Sequence, residues 1–390
     1  MTVSGIPHFE FTSAGRIVFG RGVASQVPQL VSALGRRALV VVGRHPSRHQ
    51  AILDSLSQAG VEIESFSVPT EPTLQQVRRG TLLARQAEVE VVVGLGGGSA
   101  LDAAKAIAIL ATHDADVLDY LEVIGAGKTF VAPGLPVVAI PTTAGTGTEV
   151  TRNAVLASAE HGVKVSLRSH FLLPRLAIVD PALSSDMPPA LTARTGGDTL
   201  AQLIEPFVSL RAGPMTDGLC REGLRLVSRS LGRAFHDGSD LASRDEMALA
   251  STLSGLALAN AGLGVVHGLA GPIGGAIPAP HGTICAALLP GAMVVNLRAL
   301  RAAGLDSSAL QRYDELARLL TGRAEAGADD GARWTAALCV DLAIPRLSSF
   351  GLTEASLPVI VERADAASST RSNPVKLTAE QLAEIVRRAL

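Results

Sequence analysis

Buried strands alternate with helices through the first 180 residues of this chain, and strand patterns then almost vanish. Short apolar runs typical of strands lie at 16–19, 38–42, 61–66, 89–93, 136–140 and 176–179. Helical patterns separate them at 24–34, 48–58, 74–86 and 101–110. This alternation predicts an α/β fold, in which helices cover both faces of a parallel sheet.

The second half of the chain is almost wholly helical in pattern. We expect helices at 191–210, 215–231, 245–269, 281–297 and 378–390, after a turn at SSDMPP. Two domains are therefore predicted: an α/β nucleotide-binding domain at 1–185 and an all-α metal and substrate domain at 186–390. A chain of 390 residues can bury a core in each.

Composition argues against several classes of partner. The net charge is −2, and no basic stripe runs along a predicted helix, so nucleic acid and an anionic membrane surface are not expected. The three cysteines lack CxxC spacing, which fits a reducing cytoplasm better than a disulfide framework. The N-terminus shows no apolar signal segment, so we expect a cytoplasmic protein.

One stretch, residues 247–297, contains no Asp, Glu, Lys or Arg. A membrane-spanning helix needs about 20 unbroken apolar residues. Pro272, Pro278 and Pro280 break this stretch, and two histidines interrupt it. We expect a buried helix, a tight loop and a second buried helix, and no membrane span.

A glycine triplet follows the strand at 89–93. Gly96, Gly97 and Gly98 lead through Ser99 into the helix at 101–110. Glycines let the backbone approach a phosphate, and a helix N-terminus offers free N–H groups. Ser99 and Asp102 predict a capping box at the helix start. Because a lone glycine motif is weak, a loop without a ligand remains the alternative.

A second loop, PTTAGTGTE, follows the strand at 136–140. Its hydroxyl side chains are those of Thr142, Thr143, Thr146 and Thr148. Ends of strands are where open α/β sheets bind nucleotides. A plain surface loop is the alternative.

Four polar residues stand in apolar surroundings in the second half. Asp198 and Gln202 lie four residues apart and so share a helix face. His267 and His281 fall in the uncharged stretch. A buried charge needs a partner, and imidazole with carboxylate suits iron, zinc or nickel. Two core histidines unrelated to Asp198 are the alternative.

Over essentially its whole length the chain resembles the iron-containing (group III) alcohol dehydrogenases. GGGSALDAAKAIA resembles the cofactor loop of that family, and PTTAGTGTEVT resembles its second nucleotide loop. GVKVSLRSHFLLPRLAIVDP resembles the hairpin and strand that close the first domain. GLGVVHGLAGPIGGAIPAPHG resembles the metal-binding signature.

The resemblance implies an NAD(P)-dependent enzyme that interconverts an alcohol and an aldehyde or ketone. A divalent metal, Fe²⁺ or Zn²⁺, would act as Lewis acid, in a cleft between the domains. It also implies a homo-oligomer (dimer) and a set of site residues. Expected at the cofactor are Gly97, Gly98, Ser99, Asp102, Thr142, Thr143 and Lys164. Expected at the metal are Asp198, Gln202, His267 and His281, with the aspartate and both histidines catalytic.

Two departures from the family pattern concern the metal and the substrate. The family usually has His where this chain has Gln202, and an amide oxygen is a weaker ligand than imidazole. Metal binding is therefore expected to be weaker, to favour another ion, or to be absent. The family commonly has a second His where this chain has Gly271. Together these changes suggest a bulkier or more polar carbonyl substrate.

Cofactor choice depends on the residues that follow the strand at 38–42. In the family, an Asp at that place tends to select NAD. Here Gly43 and Arg44 follow the strand, with Arg48 nearby. No carboxylate would repel a 2′-phosphate, and an arginine could hold one, which favours NADP(H) or dual use. Ordinary surface arginines are the alternative.

Three other functions remain open on the same scaffold. One is a maleylacetate-reductase-like reductase of a polar carbonyl compound, which a cationic pocket would favour. Another is a non-redox lyase like the dehydroquinate synthases, which the motifs fit less well. The last is a catalytically degraded, nucleotide-binding relative.

Overall fold

The chain forms two compact units in a computed structural model that describes residues 8–121, 124–304 and 308–390. The sheet unit spans Ser13–Asp186, and the helical unit contains Met187–Leu390 together with residues 8–12. The units divide one residue after the predicted boundary. Residues 8–12 group with the helical unit, where Asn260 Nδ2 donates to the Thr12 carbonyl at 2.9 Å.

The sheet unit contains a six-stranded parallel sheet and a separate hairpin. Its strands are β1 (Ile17–Phe19), β2 (Arg37–Val42), β3 (Glu62–Ser67), β4 (Val91–Gly96), β5 (Val137–Pro141), β6 (Asn153–Ser158), β7 (Val163–Arg168) and β8 (Leu176–Val179). Its helices are α1 (Val27–Ser32), α2 (Gln50–Gln58), α3 (Leu74–Gln86), α4 (Gly98–Ala111) and α5 (Val117–Tyr120). The strand order is β1-β8-β5-β4-β2-β3, and β6 pairs with β7 antiparallel.

Both faces of this sheet are buried, which explains its continuous apolar strands. In β2, Leu39 and Val41 pack into one core cluster, whereas Val40 and Val42 pack into the other. A strand covered on both sides has no polar face, so it appears in the sequence as an unbroken apolar run. All six predicted strands are confirmed within two or three residues at each end.

The predicted helix at 24–34 is shorter than expected. Residues Val23–Gln26 form a 3₁₀ turn, and α1 begins at Val27. Pro28 occupies the first turn of α1, where a proline is tolerated because its missing N–H would have no partner there.

The helical unit contains nine α-helices among the described residues. They are α6 (Pro189–Val208), α7 (Pro214–His236), α8 (Leu241–Ala261), α9 (Val265–Ala276), α10 (His281–Ala302), α11 (Ser308–Thr321), α12 (Ala328–Asp341), α13 (Leu357–Ala366) and α14 (Ala379–Ala389). Helices α11, α12 and α13 were not predicted from the sequence pattern.

The prediction of one helix over 245–269 is wrong. The chain breaks after Ala261, where Gly262 has φ +72°, and the axes of α8 and α9 then differ in direction by 100°. Glycine adopts positive φ without the steric cost that a Cβ adds. The break places His267 near the start of a new helix.

Helix α10 is long and apolar enough to cross a membrane. However, 78% of its apolar window is buried within the protein, as in the core helix of a globular domain. The helix instead contributes to the core of the helical unit, which accounts for the absence of charge along this part of the sequence.

Candidate metal centre and phosphate-binding loops

The two predicted nucleotide loops meet at one edge of the parallel sheet. The chain passes from β3 on one side of β2 to β4 on the other, so the order reverses between β2 and β4. Open α/β sheets bind ligands at the carboxyl ends of strands beside such a reversal. Gly43 follows β2, Gly97 follows β4 and Thr142 follows β5, all at this edge.

The two loops pack closely, and a side chain at Gly98 would have to displace Thr146, whereas one at Gly97 would make an ordinary contact. A Cβ added at Gly98 would lie 2.8 Å from Thr146 Cγ2, and one at Gly97 would lie 3.4 Å from the Thr143 side chain. The Thr142 N–H donates to the Gly96 carbonyl at 2.9 Å. The glycines therefore allow contact between two loops as well as leaving the backbone open to a ligand.

The predicted capping box of Ser99 and Asp102 is wrong. Helix α4 begins three residues earlier than expected, its N-cap is Gly97, and no side chain caps it. Asp102 instead points inward, where it accepts a hydrogen bond from the Thr148 hydroxyl and another, 3.0 Å long, from the Val155 N–H. The N-terminus of α4 thus lacks a side-chain cap that would compete with an anion.

Lys105, a buried lysine on α4, binds the second loop through hydrogen bonds to Thr148. Lys105 Nζ donates to the Thr148 carbonyl at 3.0 Å and lies 3.3 Å from Asp102 Oδ1. Burial lowers the pKa of Lys105, and the charges of Asp102 and Glu149 oppose that shift. Asp102 and Thr148 therefore have a structural role here, and their contact with a cofactor stays a prediction.

The other predicted cofactor residues lie in the same unit. Arg44 is exposed, and its Nε donates to the Pro69 carbonyl at 3.3 Å. Lys164 lies on the β6–β7 hairpin, and its Nζ is 2.6 Å from Glu71 Oε2. Ser99 lies in the first turn of α4. Their roles at a cofactor stay predictions.

Three of the predicted metal ligands converge in the helical unit. Asp198 comes from the middle of α6, His267 from the start of α9 and His281 from the first residue of α10. Asp198 Oδ1 lies 3.4 Å from His267 Nε2 and 3.8 Å from His281 Nε2. A fourth side chain, that of Cys285, joins them, and the four candidate ligand atoms all lie within 4.8 Å of one another.

Two atoms of this cluster lack a hydrogen-bond partner. Asp198 Oδ1 and His267 Nε2 are buried, and neither makes a hydrogen bond within the part of the chain that the structure describes. Leaving a buried polar atom unpaired costs about 1–3 kcal/mol, and more for a charged group. The two atoms point to the same place, so the donor set fits a divalent cation.

Glu205 orients the imidazole of His267. The His267 Nδ1 donates to Glu205 Oε2 at 2.6 Å, and the Val266 N–H donates to Glu205 Oε1 at the same distance. Because a carboxylate only accepts, Nδ1 carries a proton, and when the imidazole is neutral Nε2 presents its lone pair to the cluster. Metal-binding histidines are commonly oriented in this way.

Electrostatics couples the cluster tightly. Burial alone would raise the pKa of Asp198, but the positive charges of His281 and His267 outweigh burial and lower that pKa. The neighbouring Cys285 and Asp198 raise the pKa of the partly exposed His281 to about 9, against the effect of burial. A bound cation would displace these protons, because a histidine ligand must be neutral.

Gln202 contacts the cluster through Asp198. Its Nε2 donates to Asp198 Oδ2 at 3.0 Å, and its Oε1 accepts from the Ser254 hydroxyl at 2.9 Å. The amide oxygen, which a metal would need, faces the Ser254 hydroxyl, whose single proton can go either to this oxygen or to the Ser251 carbonyl at 2.8 Å. The role of Gln202 as a ligand stays a prediction.

Comparison with known families agrees with this arrangement of loops and cluster. Residues 14–181 match the family described as iron-containing alcohol dehydrogenase, and residues 192–390 match the C-terminal part of the Fe-containing alcohol dehydrogenase family. The chain belongs to the iron-containing alcohol dehydrogenase family. It is accordingly an oxidoreductase of alcohols and aldehydes.

Relatives within the family match nearly the whole chain. Long-chain-alcohol dehydrogenase 1 of Geobacillus thermodenitrificans is 36% identical over 369 residues, 90% of each chain. The 1,3-propanediol dehydrogenase of Klebsiella pneumoniae is 36% identical and covers 95% of this chain and 96% of its own. A crystal structure of 1,3-propanediol oxidoreductase superposes with a TM-score of 0.91 at 34% identity, covering 98% of this chain and all of the other.

Two residues of this family member were not predicted to act at the cluster. Cys285 lies four residues after His281, and Glu205 lies seven after Asp198. Both spacings return to the same helix face, so periodicity could have indicated them. Each stands on an apolar helix segment where a single polar residue carries little weight until its neighbours are known.

Proposed function

We propose that the chain is a metal-dependent NAD(P) oxidoreductase that reduces an aldehyde or ketone, or oxidises the corresponding alcohol. The observation that carries the proposal is the pair of unpaired buried atoms, Asp198 Oδ1 and His267 Nε2, directed at one point. Asp198, His267 and His281 would hold the ion. Bound there, the ion would polarise the substrate oxygen as a Lewis acid.

The protein's own residues have separate roles in this proposal. Glu205 keeps the His267 lone pair directed at the ion, and the Asp198 carboxylate supplies negative charge beside it. In the sheet unit, the uncapped N-terminus of α4 offers N–H groups to the cofactor phosphates. A bound nicotinamide would supply or accept the hydride at the substrate carbon.

The cofactor preferred by this enzyme is, in our proposal, NADP(H). Gly43 places no carboxylate at the end of β2, and the exposed Arg44 beside it can meet a 2′-phosphate. The cytoplasmic location and the homo-oligomeric state stay predictions.

The substrate is proposed to be bulkier than a short alcohol. A Cβ added at Gly271, one turn after His267, would meet no atom within 4 Å. The histidine that the family pattern implies at this position is replaced by glycine, and the space beside it is open.

One observation favours a substrate that also carries an anionic group. Arg194 lies one turn before Asp198 on α6 and is half-buried, which lowers its pKa. No carboxylate among the described residues pairs with it. An anionic carbonyl compound, as in the maleylacetate-reductase-like alternative, would supply the missing partner.

The test is a reductase assay with NADPH and NADH on neutral and carboxylated aldehydes of increasing size. Wild type is compared with Asp198→Ala and, as control, with the exposed carboxylate variant Asp365→Ala. We expect Asp198→Ala to lose activity by more than about 100-fold, since Lewis-acid stabilisation is worth several kcal/mol. Full activity of Asp198→Ala would overturn the proposal, and a preference for carboxylated aldehydes would support the anionic substrate.

A further inference from the structure

Cys285 stands at ligand distance in the cluster. It lies one turn after His281 on α10 and is fully buried, and its Sγ is 3.5 Å from His281 Nε2. In a tetrahedral zinc site, with bonds of about 2.0–2.3 Å, neighbouring ligand atoms lie roughly 3.3–3.6 Å apart. The Sγ to Nε2 distance, and the 3.4 Å from Asp198 Oδ1 to His267 Nε2, both fall in that range.

Gln202, in contrast, is turned away from the cluster centre. An ionised carboxylate only accepts hydrogen bonds, so Asp198 Oδ2 fixes the amide with its NH₂ group toward the aspartate. The amide oxygen then faces Ser254, which donates to it. To bind a cation through its oxygen, Gln202 would have to turn its NH₂ group away from Asp198 and leave Asp198 Oδ2 without its partner.

We propose that the Cys285 thiolate is the fourth metal ligand of this enzyme, and that Gln202 is a positioning residue that holds Asp198. The proposal rests on the metal-dependent function proposed above. The chain has lost one nitrogen ligand on α6 and replaced it with a sulfur ligand on α10. Cys285 binds as the thiolate, and its proton passes to solvent.

The change of ligand alters which ion the site prefers. A set of one carboxylate, two imidazoles and one thiolate is softer than a set without sulfur. Thiolate with imidazole in a tetrahedral arrangement is characteristic of zinc. We therefore expect the protein to retain zinc in preference to ferrous iron when both ions are supplied.

Cobalt(II) is the probe, because a thiolate bound to it produces a charge-transfer absorption in the near ultraviolet that nitrogen and oxygen ligands do not. The metal-free full-length protein is titrated with Co²⁺ as wild type, Cys285→Ser, Gln202→Ala and, as control, Cys339→Ser. Cys339 is another free cysteine, and it lies outside the cluster, where its thiol donates a hydrogen bond to the Ala286 carbonyl at 3.4 Å.

We expect the charge-transfer band in wild type, Cys339→Ser and Gln202→Ala, and its loss in Cys285→Ser. Cys285→Ser should also bind Co²⁺ at least about 10–100-fold more weakly, the range seen when even a supporting residue of a metal site is lost. If Cys285→Ser does not fold, a charge-transfer band that is present in wild type and persists in both Gln202→Ala and Cys339→Ser still supports the proposal, and its absence from wild type contradicts it.

The possible failures can be told apart. Wild type that binds one Co²⁺ without a thiolate band, with the same affinity in Cys285→Ser, would overturn the ligand proposal and leave the metal-dependent function standing. Wild type that binds no Co²⁺ would overturn both. Loss of Co²⁺ binding in Gln202→Ala, with unchanged binding in Cys285→Ser, would make Gln202 the fourth ligand and overturn the proposal.

Discussion

At the residue scale, the presence or absence of one carboxylate affects both the metal cluster and the proposed cofactor site. Glu205 is buried and is not one of the four candidate metal ligands. Both of its carboxylate oxygens nevertheless accept hydrogen bonds that orient His267. In the proposed cofactor site, Gly43 follows β2 at the place where a carboxylate would face the ribose, and it carries no charge there. The carboxylate of Glu205 thus supports metal binding, whereas the absence of a carboxylate at Gly43 favours a cofactor with a 2′-phosphate.

We predict that Glu205→Gln weakens metal binding about 10–100-fold, the usual effect of losing a carboxylate behind a histidine ligand. The amide can present its NH₂ group to Nδ1, and the imidazole then loses its fixed tautomer. Isothermal titration of the metal-free protein with Zn²⁺ measures the change. Glu222→Gln, on the surface of α7, serves as control, and equal affinity for both variants would contradict this role of Glu205.

A second prediction concerns cofactor selection. A Cβ at Gly43 would meet no atom within 4 Å, so Gly43→Asp fits without steric conflict. Its carboxylate should repel a 2′-phosphate and lower the ratio of kcat/KM for NADPH over NADH at least about tenfold, or roughly 1.4 kcal/mol. Ser57→Asp adds the same charge at the far end of α2. An unchanged ratio in Gly43→Asp would mean that the cofactor does not approach this residue.

At the element scale, the junction between β4 and α4 joins the sheet to both predicted loops. Gly97 caps the helix with backbone only, and Gly98 packs against Thr146. Because the two loops share this contact, a change in one displaces the other.

Gly98→Ala should therefore raise the KM for the nicotinamide cofactor roughly tenfold, since an overpacked methyl group costs about 1–3 kcal/mol. Its Cβ would lie 2.8 Å from Thr146 Cγ2. Gly218→Ala is the matched control, because a Cβ there meets no atom within 4 Å, on a helix that favours alanine. Steady-state kinetics with varied cofactor measures the effect, and an unaltered KM in Gly98→Ala would contradict it.

Sequence patterns predicted the strands better than the helix ends or the cluster. Strand β2 is apolar on both faces, so its short unbroken apolar run already indicates a strand buried in a parallel sheet. The break at Gly262 was missed because its neighbours on both sides are equally apolar and small. The supposed cap of Ser99 and Asp102 failed because Asp102 bonds to Thr148, 46 residues away, which no local pattern contains. Cys285 was missed although His281 lies only four residues before it, because a single polar residue on an apolar helix carries little weight until its neighbours are known.

At the scale of the whole molecule, metal binding should stabilise the fold. The cluster joins α6 to the consecutive helices α9 and α10, which come much later in the chain, and it leaves two buried atoms unpaired without an ion. An ion that binds only the native state adds its binding free energy to the free energy of unfolding.

Thermal unfolding should accordingly shift with metal. At a free Zn²⁺ concentration 100-fold above Kd, the gain is about 2.7 kcal/mol, or roughly 5–10 °C in Tm for a unit of this size. Differential scanning calorimetry of metal-free and loaded protein measures the shift. Asp198→Ala should show little shift, and an equal shift in that variant would place the ion elsewhere.

The most direct test of the account is metal analysis joined to activity on a single preparation. Purified protein is assayed for metal content and NAD(P)H-dependent aldehyde reduction, treated with a chelator, assayed again, and reloaded with Zn²⁺ or Fe²⁺. The account predicts close to one ion per chain, loss of activity with the ion and recovery on reloading. Metal-free protein that reduces aldehydes at the full rate would contradict it.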